Sequence, residues 1–164
     1  MRALTVLVAI LVLGNVGLHA EEMRNWFDDP FFQITSSVQH CPEPAGPRVT
    51  KAERQAQSHR RAEKGTTCWL AKEEDCQRHN AYSYDREIAG EIQAAVRASS
   101  AFPETSLWVT VQGRIVYIEG CVSHESQARS IETFIRGMPH VQQVIAIVTP
   151  NPNERPPYRL LPSR

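Results

Sequence analysis

The stretch LWVTVQGRIVYIEGCVSHESQARSIETFIRGMPHVQQVIAIV, residues 107–148, decides the fold of this chain. Apolar and polar residues alternate on both sides of Gly113, which predicts two strands joined by a tight turn. A helix is predicted next, with Ser123 as its cap and Gly137 at its end. The apolar run VQQVIAIV at 141–148 predicts a third strand. The apolar face of the helix consists of Ala128, Ile131, Phe134 and Ile135.

A further helix is predicted ahead of these elements. In YDREIAGEIQAAVRAS, residues 84–99, the side chains of Ile88, Ile92 and Val96 fall on one stripe. Asp85 can cap this helix. The predicted order is therefore helix, strand, strand, helix, strand. Two helices can cover one face of a three-stranded sheet, so the sequence predicts an α+β domain with a mixed three-stranded sheet and both helices on one side.

This order resembles the BON domain of bacterial envelope proteins over roughly Tyr84–Val148. Three features depart from the family pattern: a hairpin that looks one residue longer, His140 in place of a glycine, and Ala146 in place of an asparagine. The resemblance implies a single α-β-β-α-β module with Gly120 as a structural glycine. The matching residues are Val109, Val111, Val116, Ile118, Gly120, Val122, Ala128, Val141, Val144 and Val148.

The resemblance also implies what kind of protein this is. Family members lack catalytic residues and act in envelope integrity, often through anionic phospholipids. Those that bind lipid are thought to use the second helix and the adjoining loops. Here that region offers Arg129, Arg136 and Met138 as ligand contacts, since Phe134 falls near the apolar stripe. The implied partner is an anionic phospholipid or another envelope protein, and no cofactor or metal is expected.

The first twenty residues are similar to a secretory signal. Arg2 precedes an apolar run from Ala3 to Leu13, and the small residues Gly17 and Ala20 follow. The run is too short to cross a bilayer, which takes roughly 20 apolar residues. We expect cleavage after about Ala20 and a periplasmic protein, with secretion or an uncleaved anchor as the alternatives.

Composition and proline content set the remaining boundaries. The chain has 18 basic and 18 acidic residues, so its charge gives no case for nucleic acid as a partner. We divide it into a signal peptide at 1–20, a cysteine-containing extension at 21–80, the BON-like domain at 81–149 and a proline-rich flexible tail at 150–164.

Four cysteines in an exported chain predict disulfides, and four cysteines allow three connectivities. Cys68 and Cys76 are close in sequence and form an easily closed pair, which leaves Cys41 with Cys121. A zinc site is the alternative, with His79 and either Cys41 or His40 added to the first pair. The spacing of Cys68 and Cys76 is wider than usual for zinc, and the compartment favours disulfides.

The sheet face turned away from the two helices is also predicted to be apolar. Such a face is not usually left open to water. Either the extension at 21–80 lies over it, held by Cys41–Cys121, or the face binds a partner or a second copy. A register slip of one residue would exchange the two faces. The outward residues are Trp108, Ile115, Tyr117, Ile145 and Ile147.

The extension contains a basic helix and an aromatic cluster. The capping-box pattern Thr50-x-x-Glu53 predicts a short helix from Lys51 to Lys64, ended by Gly65. With few apolar residues, it is predicted to be solvated, and electrostatic contact with anionic headgroups or polysaccharide is the alternative. The cluster WFDDPFF at 26–32 is predicted to anchor the extension on its own domain, with membrane or partner docking as the alternative.

An enzyme is the function class with the least support. The sequence holds no G-x-S-x-G, H-E-x-x-H or glycine-rich phosphate loop. Cys121 and His124 are three residues apart, but a free thiol would have to avoid oxidation in an exported protein. The sequence therefore predicts a non-enzymatic binding module of the cell envelope. The alternative is a structural or secretion-complex domain that assembles through the outer sheet face.

Overall fold

A computed structural model describes residues 21–71 and 76–162; the predicted signal at 1–20 lies outside this range. The chain forms one mixed sheet with helices on both sides. Its elements are β1 (Phe31–Ser36), α1 (Lys51–Ala71), a 3-10 turn (Ala81–Tyr84), α2 (Asp85–Ser99), β2 (Thr105–Gln112), β3 (Ile115–Val122), α3 (Ser126–Arg136) and β4 (Gln143–Thr149).

The sheet has four strands in the order β1-β2-β3-β4. Strand β2 runs antiparallel to both β1 and β3, and β3 runs parallel to β4. The predicted α-β-β-α-β order from α2 to β4 is confirmed, but the prediction of three strands was wrong. The fourth is β1, which lies inside the N-terminal extension. Its alternation is obscured by the aromatic cluster, and it forms because the edge of β2 is available for pairing.

The β2–β3 hairpin fixes which side chains enter the core. Gly113 and Arg114 both have positive φ angles, 59° and 69°, and form a two-residue turn between the paired residues Gln112 and Ile115. This is the backbone of a type I′ turn, whose twist matches that of the strands. The predicted inward and outward residues of β2 and β3 therefore hold, whereas the comparison with the family's usual hairpin length stays an expectation.

The core lies between the inner sheet face and the helices α2 and α3. The predicted inward residues of β2 and β3 are buried there with the apolar stripes of both helices. Burying large aliphatic side chains contributes about 1.5–3 kcal/mol each, so this layer dominates the stability of the domain. Its fully buried members include Ile88, Ile92, Val109, Val111, Val116, Ile118, Ile131 and Ile135.

The glycine at the end of β3 is required by close packing. A Cβ on Gly120 would lie 2.0 Å from the backbone oxygen of Ser106, and the φ angle of Gly120 is +143°. Gly137 differs, since its φ is −74° and a Cβ there would meet nothing closer than 3.6 Å. Gly120 and Gly113 therefore meet a backbone need for glycine, whereas Gly137 only follows the end of α3.

Helix α1 is longer than predicted. Its capping box is confirmed: the Glu53 N–H donates to Thr50 Oγ1 (3.2 Å), and the Thr50 N–H donates to Glu53 Oε2 (2.8 Å). The helix does not stop at Gly65 but continues to Ala71. Gly65 is buried, and a Cβ on it would lie 3.1 Å from Asn80 Nδ2, so it serves close packing inside the helix.

Two predicted helix caps were wrong. Helix α3 begins at Ser126, and the hydroxyl of Ser123 instead donates to the Glu104 carbonyl (2.8 Å). Gln127 Oε1 accepts the N–H groups of Ser123 and His124. Asp85 is the first residue of α2, and its carboxylate is directed to the hairpin turn rather than to its own helix.

Candidate functional site

Helix α3 presents two arginines on the same outward side. Ile131 and Ile135 of this helix are fully buried against the sheet, whereas Arg129 and Arg136 are exposed. Seven residues separate the two arginines, which is close to two helical turns and roughly 10 Å along the axis. Two of the three predicted ligand contacts therefore share one surface.

Met138, the third predicted contact, has a different environment. Its side chain is partly buried and packs against the core just beyond the end of α3. Its backbone N–H donates to the carbonyl of Ile135 (3.1 Å). Phe134 is also packed, with its ring edge-to-face against that of Phe102 at a centroid distance of 5.4 Å. Met138 therefore supports the end of α3 and presents only part of its side chain to solvent.

The surface around the two arginines has mixed charge. Glu132 Oε2 lies 3.9 Å from Arg136 Nη2, and its Oε1 accepts the N–H of Ala146 (3.0 Å). A shallow groove of about 560 Å³ at the start of α3 is lined by Glu125, Arg129, Glu132, Ser126 and Ala128. Acidic neighbours weaken the positive field of the arginines, so any attraction to an anionic surface here is short-ranged and sensitive to salt.

The outer face of the sheet is covered rather than open. Each of the five predicted interaction residues on this face is half-buried, and none is exposed. A cavity of about 270 Å³ lies where Gln57 and Arg60 of α1 approach Tyr117, Glu119 and Ile147 of the sheet. Residues of the extension therefore lie over this part of the face, and both interpretations of the face stay predictions. The five are Trp108, Ile115, Tyr117, Ile145 and Ile147.

Both disulfides that the sequence favours are present, Cys68–Cys76 and Cys41–Cys121. The sulfur ligands that the zinc alternative needed are therefore already bonded. Cys121 is fully buried on the outer face of β3, so its bridge holds the chain around Cys41 against that face.

The C-terminal segment adds to this cover. The hydroxyl of Tyr158 donates to the Pro42 carbonyl (2.9 Å), and burial raises the pKa of Tyr158 to about 12. Arg159 forms an ion pair with Glu53 (2.9 Å), and Leu160 forms a β-bridge with Pro44. The sequence predicted a flexible proline-rich tail at 150–164 and gave no sign of these contacts with the extension.

The aromatic cluster and part of the basic helix α1 form contacts within the protein. Arg61 forms a bidentate pair with the buried Asp29 (2.6 and 3.0 Å), which also accepts a hydrogen bond from Gln112 (2.8 Å). The Arg61 guanidinium lies 3.9 Å from the Phe27 ring centroid, and Trp26 donates to the Val49 carbonyl (2.7 Å). The cluster thus packs on its own domain, while the exposed basic residues of α1 include Lys51, Arg54 and Arg60.

Sequence reasoning missed a buried charged junction below the hairpin. Arg114 is 2% exposed, and its Nε donates to the His140 carbonyl (2.8 Å). The Asp85 carboxylate accepts the backbone N–H groups of Gly113 (2.7 Å) and Arg114 (2.9 Å). Burial raises the pKa of Asp85 to about 6, although these two hydrogen bonds oppose the shift. A turn at Gly113 was visible in the sequence, but the burial of the next side chain depends on distant residues.

Comparison with known proteins agrees with this domain. Residues 84–149 match the family model of the BON domain. These residues form a BON domain. The match runs from the end of the 3-10 turn to the end of β4, so β1, α1 and the covering C-terminal segment lie outside it. Searches of curated proteins and of solved structures found no match.

Proteins that contain a BON domain share general properties. BON domains are regarded as phospholipid-binding domains of the envelope, are generally non-enzymatic, and occur typically in periplasmic or envelope-associated proteins. In the part of this chain that the structure describes, no helix combines the length and apolar character needed to cross a bilayer. No cluster of potential metal ligands occurs among residues 21–71 and 76–162 either.

Proposed function

We propose that this protein is a non-enzymatic, periplasmic binding module whose BON domain contacts anionic phospholipid through the outward side of α3. The observation that supports the proposal is the pair Arg129 and Arg136, exposed about two turns apart on the second helix of the domain. Each positive charge near an anionic membrane contributes about 1 kcal/mol to binding. Two arginines alone give a weak, reversible contact that falls with rising salt.

The alternative of assembly through the outer sheet face has less support. That alternative predicts that a charged substitution at Tyr117 or Ile147 would disrupt assembly. Both residues lie beneath the extension and α1. Binding a partner there would require the covering segment to move away, although the Cys41–Cys121 bridge holds it to β3. The α3 side of the domain needs no such rearrangement.

Vesicle co-sedimentation tests the proposal with the chain from Glu21 and both disulfides intact. We expect binding to vesicles rich in phosphatidylglycerol, little binding to phosphatidylcholine vesicles, and loss of binding as salt is raised. Arg129→Glu with Arg136→Glu should weaken the binding by about thirty-fold or more, since two charges of about 1 kcal/mol each are removed and reversed.

A matched control places the same charge change on the other side of the sheet. Lys51→Glu with Arg60→Glu alters two exposed residues of α1 and should leave most of the vesicle binding intact. Circular dichroism and thermal unfolding check that both double variants fold. If the α1 pair lost binding and the α3 pair kept it, the contact would be through the basic helix and the proposed α3 site would be wrong.

A further inference from the structure

Strand β4 forms one edge of the sheet, and its own sequence lacks the features that usually protect an edge, although Glu132 of α3 caps one of its outward N–H groups. Among the residues that the structure describes, the strand partner of β4 is β3, and its sequence QVIAIVT has no charge and no proline. The opposite edge strand, β1, contains a register shift between Gln33 and Thr35 of the kind a β-bulge produces. Edge strands that are regular, apolar and uncharged are templates for pairing with another strand, and bulges or charges prevent this.

The hydrogen bond from Ala146 to Glu132 shows which backbone groups of β4 point away from β3. Backbone N–H and C=O groups alternate in direction along a strand. Because the Ala146 N–H is directed outward, those of Val144 and Val148 are directed outward as well. In the part of the chain that the structure describes, the Glu132 carboxylate is the hydrogen-bond acceptor for this outward row of β4 N–H groups.

We propose that β4 pairs antiparallel with β4 of a second copy around a two-fold axis at Ala146. Ala146 is the central residue of Gln143–Thr149, so the pairing would match Ala146 with itself and Val144 with Val148 of the second copy. These are the residues whose backbone groups point outward, and the pairing would form about six hydrogen bonds. Ile145 and Ile147, both half-buried now, would face each other across the new pair.

A second copy fits this edge because the strand is complementary to itself. An isologous interface requires the same surface to match when it is rotated by 180°, and the outward row 144, 146, 148 does so. With no charge in β4, two copies of the strand do not repel each other. One strand edge buries less than the roughly 1,200 Å² of a standard interface, so the dimer is weak and depends on concentration.

The dimer would also double the proposed membrane surface, a consequence that rests on the proposed function. Antiparallel edge pairing has its two-fold axis perpendicular to the sheet, so α3 of both copies would lie on the same side. Arg129 and Arg136 of each copy would then face one surface. Two linked weak sites bind a membrane more tightly than one, because the second contact becomes intramolecular.

Analytical ultracentrifugation without lipid tests the pairing, on the chain from Glu21 with both disulfides intact and up to about millimolar concentration. We expect a reversible monomer–dimer equilibrium. Ala146→Pro should abolish the equilibrium, because it removes the outward N–H that would donate to the second copy. That N–H is not used in the ladder with β3, so the strand itself tolerates proline at this position. Ile147→Lys should weaken it by about tenfold or more through charge repulsion. Leu161→Lys, an exposed apolar residue of the C-terminal segment, is the matched control and should have no effect.

A variant that gains pairing guards against a misfolded strand. Glu132→Ala frees the Ala146 N–H and should tighten the dimer by about tenfold, and adding Ala146→Pro should remove that gain. If the unmodified chain and Glu132→Ala both stay monomeric, or if the dimer survives Ala146→Pro and Ile147→Lys, the proposal is wrong. Vesicle binding by the monomeric Ala146→Pro variant would then show that the lipid proposal stands without the dimer.

Discussion

Replacement of Asp85 by asparagine should remove a distinct pH dependence of stability. Asp85 is 3% exposed, and burial raises its pKa from 3.8 to about 6 in the folded protein. The folded state therefore holds its proton more tightly than the unfolded state does. Between pH 3.8 and about 6 the folded chain binds more protons, so the free energy of unfolding falls as the pH rises through this window.

The size of the effect follows from the shift. A pKa difference of about two units corresponds to roughly 3 kcal/mol between the protonated and ionised forms. This contribution is fully present below pH 3.8 and lost above about pH 6. Asparagine keeps the shape and one acceptor for the N–H groups of Gly113 and Arg114 but does not ionise. The change in unfolding free energy between pH 3.5 and 7 should thus differ between the two proteins by about 3 kcal/mol.

Urea unfolding of the oxidised chain at a series of pH values measures this difference directly, because other titrating groups are common to both proteins. Asp28→Asn is the control: Asp28 has its side chain 82% exposed, and its φ of 54° suits asparagine as well as aspartate. Its pH profile should match that of the unmodified chain. Identical profiles for Asp85→Asn and the unmodified chain would refute the raised pKa of this buried carboxyl group.

Two further predictions concern the fold itself. Gly120→Ala should destabilise the protein by about 3 kcal/mol or more in urea unfolding, because the added Cβ would collide with the Ser106 backbone oxygen. Gly90 of α2 has open space around it, so Gly90→Ala should stabilise the protein by about 0.5–1 kcal/mol. Cys41→Ser with Cys121→Ser opens a link across 80 residues and should lower stability by on the order of 4 kcal/mol; an unchanged midpoint would mean that the covering segment stays in place without the bridge.

The elements that could be predicted from sequence are those defined by local periodicity. Helices α2 and α3 and strands β2 to β4 each carry an apolar pattern of the correct period, and the turn at Gly113 separates two of them. Strand β1 has no such independent signal, since Pro30 and the aromatic residues before it obscure the alternation. Its formation depends on pairing with β2, whose partner residues lie 70 to 79 positions away in the chain.

The site residues differ in the same way: local periodicity predicts some of them, and contacts between distant segments determine the others. The outward direction of Arg129 and Arg136 follows from helical geometry once Ile131 and Ile135 are assigned to the core. The burial of Arg114 could not be predicted in this way. A charged side chain enters a core only where separate segments supply polar partners, and one of these is the His140 carbonyl beyond the end of α3.

Glu132 is the point at which the two proposals meet. One oxygen of its carboxylate lies beside Arg136 and the other accepts the outward N–H of Ala146, so the same charge limits both the positive field of α3 and access to the edge of β4. A membrane surface that engaged Arg136 would compete with Glu132 for that guanidinium, and a second strand would compete with it for the N–H. Both surfaces are therefore limited by one residue. Because Glu132 holds the remaining donor more strongly once the other is taken away, lipid contact and strand pairing are coupled through this carboxylate rather than independent.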